Sequence, residues 1–166
     1  MAMDETVKFL HQKKYKNIVY ITPPPSTATV FEERLKSYRE SVVRYYGGES
    51  VRNILEIKSF DTDEIKGALI KYLTEYHDTE VIIATGPQAV IALSAAAELG
   101  IRVPESMRLM ILDNELSDTE KAAVQPYIIE QDAYNIGYEA GVALYNQIYG
   151  DQRIITKRMP AKLIGW

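Results

Sequence analysis

Short runs of β-branched and aliphatic residues alternate along this chain with longer stretches in which apolar residues recur every three or four positions. Residues 17–22, 53–58 and 80–85 are such runs, as are 108–112 and a shorter one at 127–129. Ile18, Val19, Tyr20 and Ile21, or Val81, Ile82, Ile83 and Ala84, leave no polar face. A strand without a polar face is covered on both sides, which is the pattern of a parallel sheet between helices. The expectation is therefore an α/β fold, a doubly wound parallel sheet.

The intervening stretches carry helix signals. Phe31, Leu35, Tyr38, Val42 and Tyr45 fall on one helical stripe. Ile65, Ala68, Leu69, Tyr72, Leu73 and Tyr76 fall on another, behind an Asp61-x-x-Glu64 capping box. Pro87 suits the first turn of a further helix and Gly100 its C-terminal cap. A last helix runs from about Ala133 to Tyr149. On its wheel Tyr134, Tyr138, Tyr145 and Tyr149 share an arc with Leu144 and Ile148, opposite Asn135, Glu139, Asn146 and Gln147. That apolar arc is expected to dock, either back onto the sheet or against a second copy.

Composition narrows the function classes. The chain has 166 residues, no cysteine, two histidines and a net charge of −4. Disulfides, thiol catalysis and thiolate metal sites are excluded. A self-sufficient nucleic-acid binder would be basic, so direct DNA contact is not expected of this segment. No run approaches membrane-span length, and Met1–Asp4 carries no signal-peptide pattern. No Gly-rich phosphate loop follows the first strand, where Pro23, Pro24 and Pro25 stand instead, which argues against a nucleotide cofactor. His11 and His77 lie at helix ends in polar company, so neither metal nor acid–base work is assigned to them. The expectation is no enzyme, no cofactor and no metal.

In open parallel sheets, ligands bind beyond the carboxyl ends of the strands. That rule selects 22–29, 59–62, 85–88 and 113–115 as the segments where a site should be sought.

Several segments together resemble the LacI/GalR family of transcription regulators, whose effector domain has the fold of periplasmic sugar-binding proteins. Residues 6–21 are similar to the family's helix and following strand, and Glu33-Arg34-Leu35-Lys36-Ser37-Tyr38 to its R-x-x-G-F/Y stretch. The most specific piece is 92–105, which resembles A-L-x-A-x-x-E-x-G-x-x-V-P-x-D. Residues 109–114 resemble the V-V-G-F-D-D strand, and 129–132 the V-x-Q-D/P crossover. Order and spacing hold along nearly the whole chain.

The resemblance implies an effector-binding domain fragment, in which 1–131 form the C-terminal lobe. Residues 132–166 would be the crossover helix and strand, the helix packing on an N-terminal lobe and the chain returning at about 160–166. It implies a small carbohydrate effector, a homodimer, a cytoplasmic location, and DNA binding only through a helix-turn-helix headpiece outside this chain. Dimer contacts would come from 89–99 and about 116–124. By resemblance Arg34 grips the effector, Asp113 accepts from its hydroxyls, and Phe60 supplies an aromatic wall. Thr85-Gly86-Pro87 stands where most members have Asn-Asp, and Thr85 is open to two roles, effector hydroxyl partner or helix N-cap. Two other classes remain in view: a secreted sugar-binding protein of a transport system, and a doubly wound enzyme acting on a small sugar or nucleotide. Residues encoded upstream of Asp4 would separate the three.

Overall fold

A computed structural model describes residues 2–48, 54–113, 115–150, 153, 157 and 159–164, with only the backbone of Pro25. The elements run α1 (Ala2–Gln12), β1 (Ile18–Thr22), a 3-10 turn (Pro25–Thr27), α2 (Thr29–Tyr46) and β2 (Ile54–Glu56). They continue with α3 (Thr62–Glu75), β3 (Val81–Thr85), α4 (Gly86–Glu98), β4 (Arg108–Leu112) and α5 (Asp118–Val124). The last are β5 (Tyr127–Gln131), α6 (Ala133–Ile148) and β6 (Ala161–Ile164). The sheet order is β2-β1-β3-β4-β5-β6, with β1 to β5 parallel and β6 antiparallel to β5.

Side chains alternate between two cores. Val19, Ile21, Ile82, Ala84, Leu109, Ile111 and Ile128 point to the layer of α3 and α4, where Ile65, Leu69, Leu73 and Ala89, Ala92, Ala95 and Ala96 meet them. Ile18, Tyr20, Val81, Ile83, Met110, Leu112 and Ile129 point to the layer of α1 and α2, against Val7, Leu10, Leu35, Tyr38 and Val42. The doubly wound sheet expected from the unbroken apolar runs is thus the one found. Burying a leucine or isoleucine at such a position stabilises by about 1.5–3 kcal/mol.

Helix starts follow local chemistry. Asp61 caps α3, accepting from the amides of Asp63 and Glu64. Glu64 does not close the expected reciprocal box; its carboxylate takes the Ser59 hydroxyl at 2.6 Å, while Ser59 Oγ accepts from Asp61 N at 3.1 Å. Thr85 stands at the N-cap of α4 in extended backbone, and Gln88 returns its side-chain oxygen to Thr85 N at 3.3 Å. Gly100 follows the end of α4 with φ +68°, the left-handed conformation its position requires.

Strands β1 and β3 each start one residue later than expected, and two strands differ by more. Strand β2 covers three residues, Asn53 lying outside the described residues; Ile57 N still donates to Thr22 O at 3.0 Å. Strand β5 runs two residues further, to Gln131, because β6 pairs Lys162 with Glu130 and Ala161 with Gln131. The segment expected to return at 160–166 therefore enters this sheet as its edge strand.

Helix α6 buries none of its residues. Its half-buried positions are Glu139, Ala143 and Asn146 on the polar arc. The tyrosine arc points outward, with Tyr134 79% and Ile148 70% exposed. The expected docking back onto the sheet does not occur within this chain. Among the described residues, no helix is long and apolar enough to cross a membrane.

Candidate functional site

The carboxyl ends of β3, β4 and β5 bring three polar residues to one edge. Thr85 is the last residue of β3 and pairs in register with Leu112, so Asp113 follows beside it. Gln131 ends β5, and Asp113 N donates to Ile129 O at 2.9 Å, which holds the Asp113 backbone against β5. Asp113 takes φ +76°, a left-handed conformation that aspartate tolerates better than most residues.

Arg34 reaches this edge from the second turn of α2. No acidic residue lies three or four positions from it, so a pair within the helix was never available. Its partner comes from another element. Arg34 Nη2 donates to Asp113 Oδ2 at 3.1 Å, with the two side chains 20% and 31% exposed. Gln131 Nε2 donates to the other oxygen, Oδ1, at 2.7 Å. The carboxylate is thus bound at both oxygens yet still partly open to solvent. The cation of Arg34 also reaches the buried phenol of Tyr20. Burial pushes that phenol above its ordinary pKa, and Thr22 and Arg34 oppose the shift.

The arrangement offers a planar cationic donor, an acceptor-only carboxylate, an amide and a hydroxyl, all at a strand edge. That set suits a ligand with several hydroxyl groups. Among the described residues no group of three or more His, Asp or Glu side chains is placed to hold a metal ion.

Of the four residues singled out from the sequence, Arg34 and Asp113 are in direct contact, and Thr85 stands at the neighbouring strand end. Phe60 is apart. It follows β2, three strands from β4 in the sheet order, or roughly 14 Å at the spacing of neighbouring strands. Its ring is 61% exposed. Gln131 was not singled out, although it terminates a strand at the same edge as the others. A groove of about 410 Å³ runs from Gln131 along α6, lined by Ile136, Glu139, Ala143, Lys157 and Met159. Lys157 and Glu139 form an ion pair across it.

The sequence matches the family model of the periplasmic binding protein-like domain over residues 7–164. No curated protein matches it significantly. Solved structures share its fold. A LacI-family transcriptional regulatory protein from Corynebacterium glutamicum superposes with a TM-score of 0.77 at 19% identity, covering 98% of this chain and 61% of that one. The transcriptional regulator CelR in complex with cellobiose gives 0.80 at 22% identity, covering 98% of this chain and 50% of that one. The lactose repressor bound to the anti-inducer ONPF gives 0.81 at 19% identity, covering 99% and 61%. The chain therefore spans between 50% and 61% of the length of these three proteins. With a family model that accounts for all but the first six and last two residues, the chain belongs to the periplasmic binding protein-like domain family.

Proposed function

We propose that this chain is the C-terminal lobe of the effector-binding domain of a LacI/GalR-type transcriptional regulator. The observation that carries this reading is the Arg34–Asp113–Gln131 cluster at the carboxyl edge of a parallel sheet, where ligands of such folds bind. The named neighbours are regulators, one of them in complex with cellobiose. The effector is a small carbohydrate, held between this lobe and a first lobe outside this chain. Arg34 and Asp113 grip it, Thr85 offers a hydroxyl, and Phe60 covers an apolar face of an effector long enough to reach β2.

The first lobe also accounts for α6. A helix that turns its polar arc to its own chain and four tyrosines to solvent is covered from the other side. Effector binding favours one orientation of the two lobes over another, and that difference in affinity sets the spacing of DNA-binding headpieces in a homodimer. The dimer uses the outward face of α4, where Val90, Ser94 and Ala97 are exposed, and the segment around α5; the alanines at 89, 92, 95 and 96 serve the core instead. Such a protein acts in the cytoplasm, where its operator is, and performs no chemistry on the effector.

The test is operator binding by the full-length polypeptide, read by fluorescence anisotropy with and without effector. Asp113→Ala and Arg34→Ala should abolish the effector response while leaving effector-free operator binding within about twofold, a difference of roughly 0.4 kcal/mol. Loss of both would make Asp113 and Arg34 folding residues and overturn the reading.

A further inference from the structure

Gly86, the first residue of α4, is buried although it stands where the chain emerges from the sheet. What lies across it is Glu115. A Cβ built on Gly86 would come 2.5 Å from Glu115 Cβ and closer still to its carboxylate oxygen Oε2. Gly86 has ordinary helical backbone, so glycine serves here for room and not for conformational freedom. The missing side chain lets the Glu115 carboxylate rest on the start of α4, next to Thr85 and two residues on from Asp113. Glu115 itself remains exposed to solvent.

A helix start attracts negative charge, and an open one would take the phosphate or carboxylate of a ligand. Here the helices that follow β2, β3, β4 and β5 begin under the chain's own side chains. Asp61 caps α3, Glu115 lies over α4, Ser117 and Glu120 close α5, and Asp132 caps α6. Helix α2, after β1, begins without a side-chain cap, and it carries Glu32 in its first turn. The one cation in the cluster, Arg34, is already bonded to Asp113. An anionic ligand group brought to Thr85 would face two carboxylates and find no free helix start at that point. A hydroxyl or ammonium would find two acceptors, because an ionised carboxylate accepts and cannot donate.

We propose that Glu115 is a specificity-determining residue of the effector site: held over Gly86 beside Thr85 and Asp113, it accepts from a neutral polyol or an amino sugar and turns away phosphorylated and acidic sugars. This rests on the effector-site reading above. The experiment is a thermal-shift titration of the full-length polypeptide with hexoses and disaccharides, each offered as the neutral sugar, the amino sugar, the sugar phosphate and the sugar acid. Wild-type protein should be stabilised by members of the neutral or amino sets only. Glu115→Gln should weaken an amino sugar by about tenfold or more, the loss of one charge-assisted hydrogen bond. Glu115→Lys should move the preference to the phosphorylated form of the same sugar.

A phosphate or acid form that stabilises wild-type protein more than its uncharged parent overturns the proposal, and so does a panel in which no member binds. Arg34→Ala and Asp113→Ala separate it from the reading on which it rests. If they leave binding of the stabilising sugar unchanged, the effector site itself is misplaced. If they abolish binding while both Glu115 variants keep the wild-type ranking of charge forms, Glu115 alone is wrong.

Discussion

The side-chain amide of Gln131 donates to Asp113 Oδ1 at 2.7 Å and ties the end of β5 to the end of β4. Asp113 is held there by its backbone as well, since its own amide donates to Ile129 O. The residue that would meet the effector is fixed by the strand that leads to α6.

That backbone has a measurable consequence. At φ +76°, a Cβ is strained and glycine is not. Asp113→Gly and Asp113→Ala lose the same two hydrogen-bonding partners, so their difference isolates the backbone. Asp113→Gly should be the more stable by about 1 kcal/mol in urea denaturation. Equal stabilities would mean that the left-handed conformation is not retained in solution.

Gly86→Ala should destabilise the chain by about 1–3 kcal/mol, because the new methyl group meets Glu115 rather than empty space. Adding Glu115→Gly, which removes the carboxylate and the Cβ 2.5 Å away, should recover most of that loss. A double variant as unstable as Gly86→Ala alone would place the conflict in the helix backbone.

Tyr38 is fully buried, and among the described residues its hydroxyl has no hydrogen-bond partner. Its ring lies 5.2 Å from that of Tyr20. Removing a buried polar atom that has no partner should help, so Tyr38→Phe should be neutral or stabilising by about 1 kcal/mol. A Tm below that of wild type would show that the hydroxyl finds a partner in solution.

Alkaline pH should unfold the chain through its tyrosines. Tyr15 is pushed up to about 12, chiefly by burial and then by the Tyr127 hydroxyl 3.3 Å away. Tyr46 is also pushed up to about 12, by burial and then Glu80, while its hydroxyl donates to Tyr15 O at 2.8 Å. Burial raises Tyr38 as well. An unfolded tyrosine releases its proton near pH 10, before these do. The stabilising contribution is therefore complete below about pH 10 and is lost as the pH climbs toward 12. Phenolate absorbance should lag in the folded protein and rise together with loss of helical circular dichroism. Tyrosine titration at about pH 10 with the fold intact would contradict the burial.

The tyrosine face of α6 should make the isolated chain associate. Light scattering over a dilution series should show mass rising with concentration. The variant Tyr138→Ser, Tyr145→Ser, Ile148→Ser should show a smaller rise in mass than wild type, keeping only the α4–α5 contact, with an unchanged Tm, since none of the three is buried. A wild-type chain that is monomeric at high concentration would show that the exposed arc does not drive association.

How much of this was legible in the sequence depends on range. The strands were, because Val19, Ile82 and Ile111 belong to runs that local composition alone marks as covered on both faces. The limits of β5 were not, because its last two residues are fixed by Lys162 and Ala161, 32 and 30 positions away. Asp113 was legible from the strand-end rule and Arg34 from the family resemblance, but their ion pair joins positions 79 apart and is set by packing of α2 on the sheet. Glu115 fell within a segment chosen by the strand-end rule, yet nothing in its neighbours says that it lies across Gly86. The arcs of α6 were correctly drawn on the wheel, but a wheel does not say which arc faces home.

The antiparallel pairing of β6 with β5 makes the exit and the re-entry of the chain neighbours, at Gln131 and Ala161. Two straps leave the sheet side by side, and what they carry between them can swing about the line that joins them far more easily than it can twist across it. If Asp113 grips the effector as proposed, a change of grip there lies one hydrogen bond from the nearer strap and should reach α6 as a tilt in a single plane.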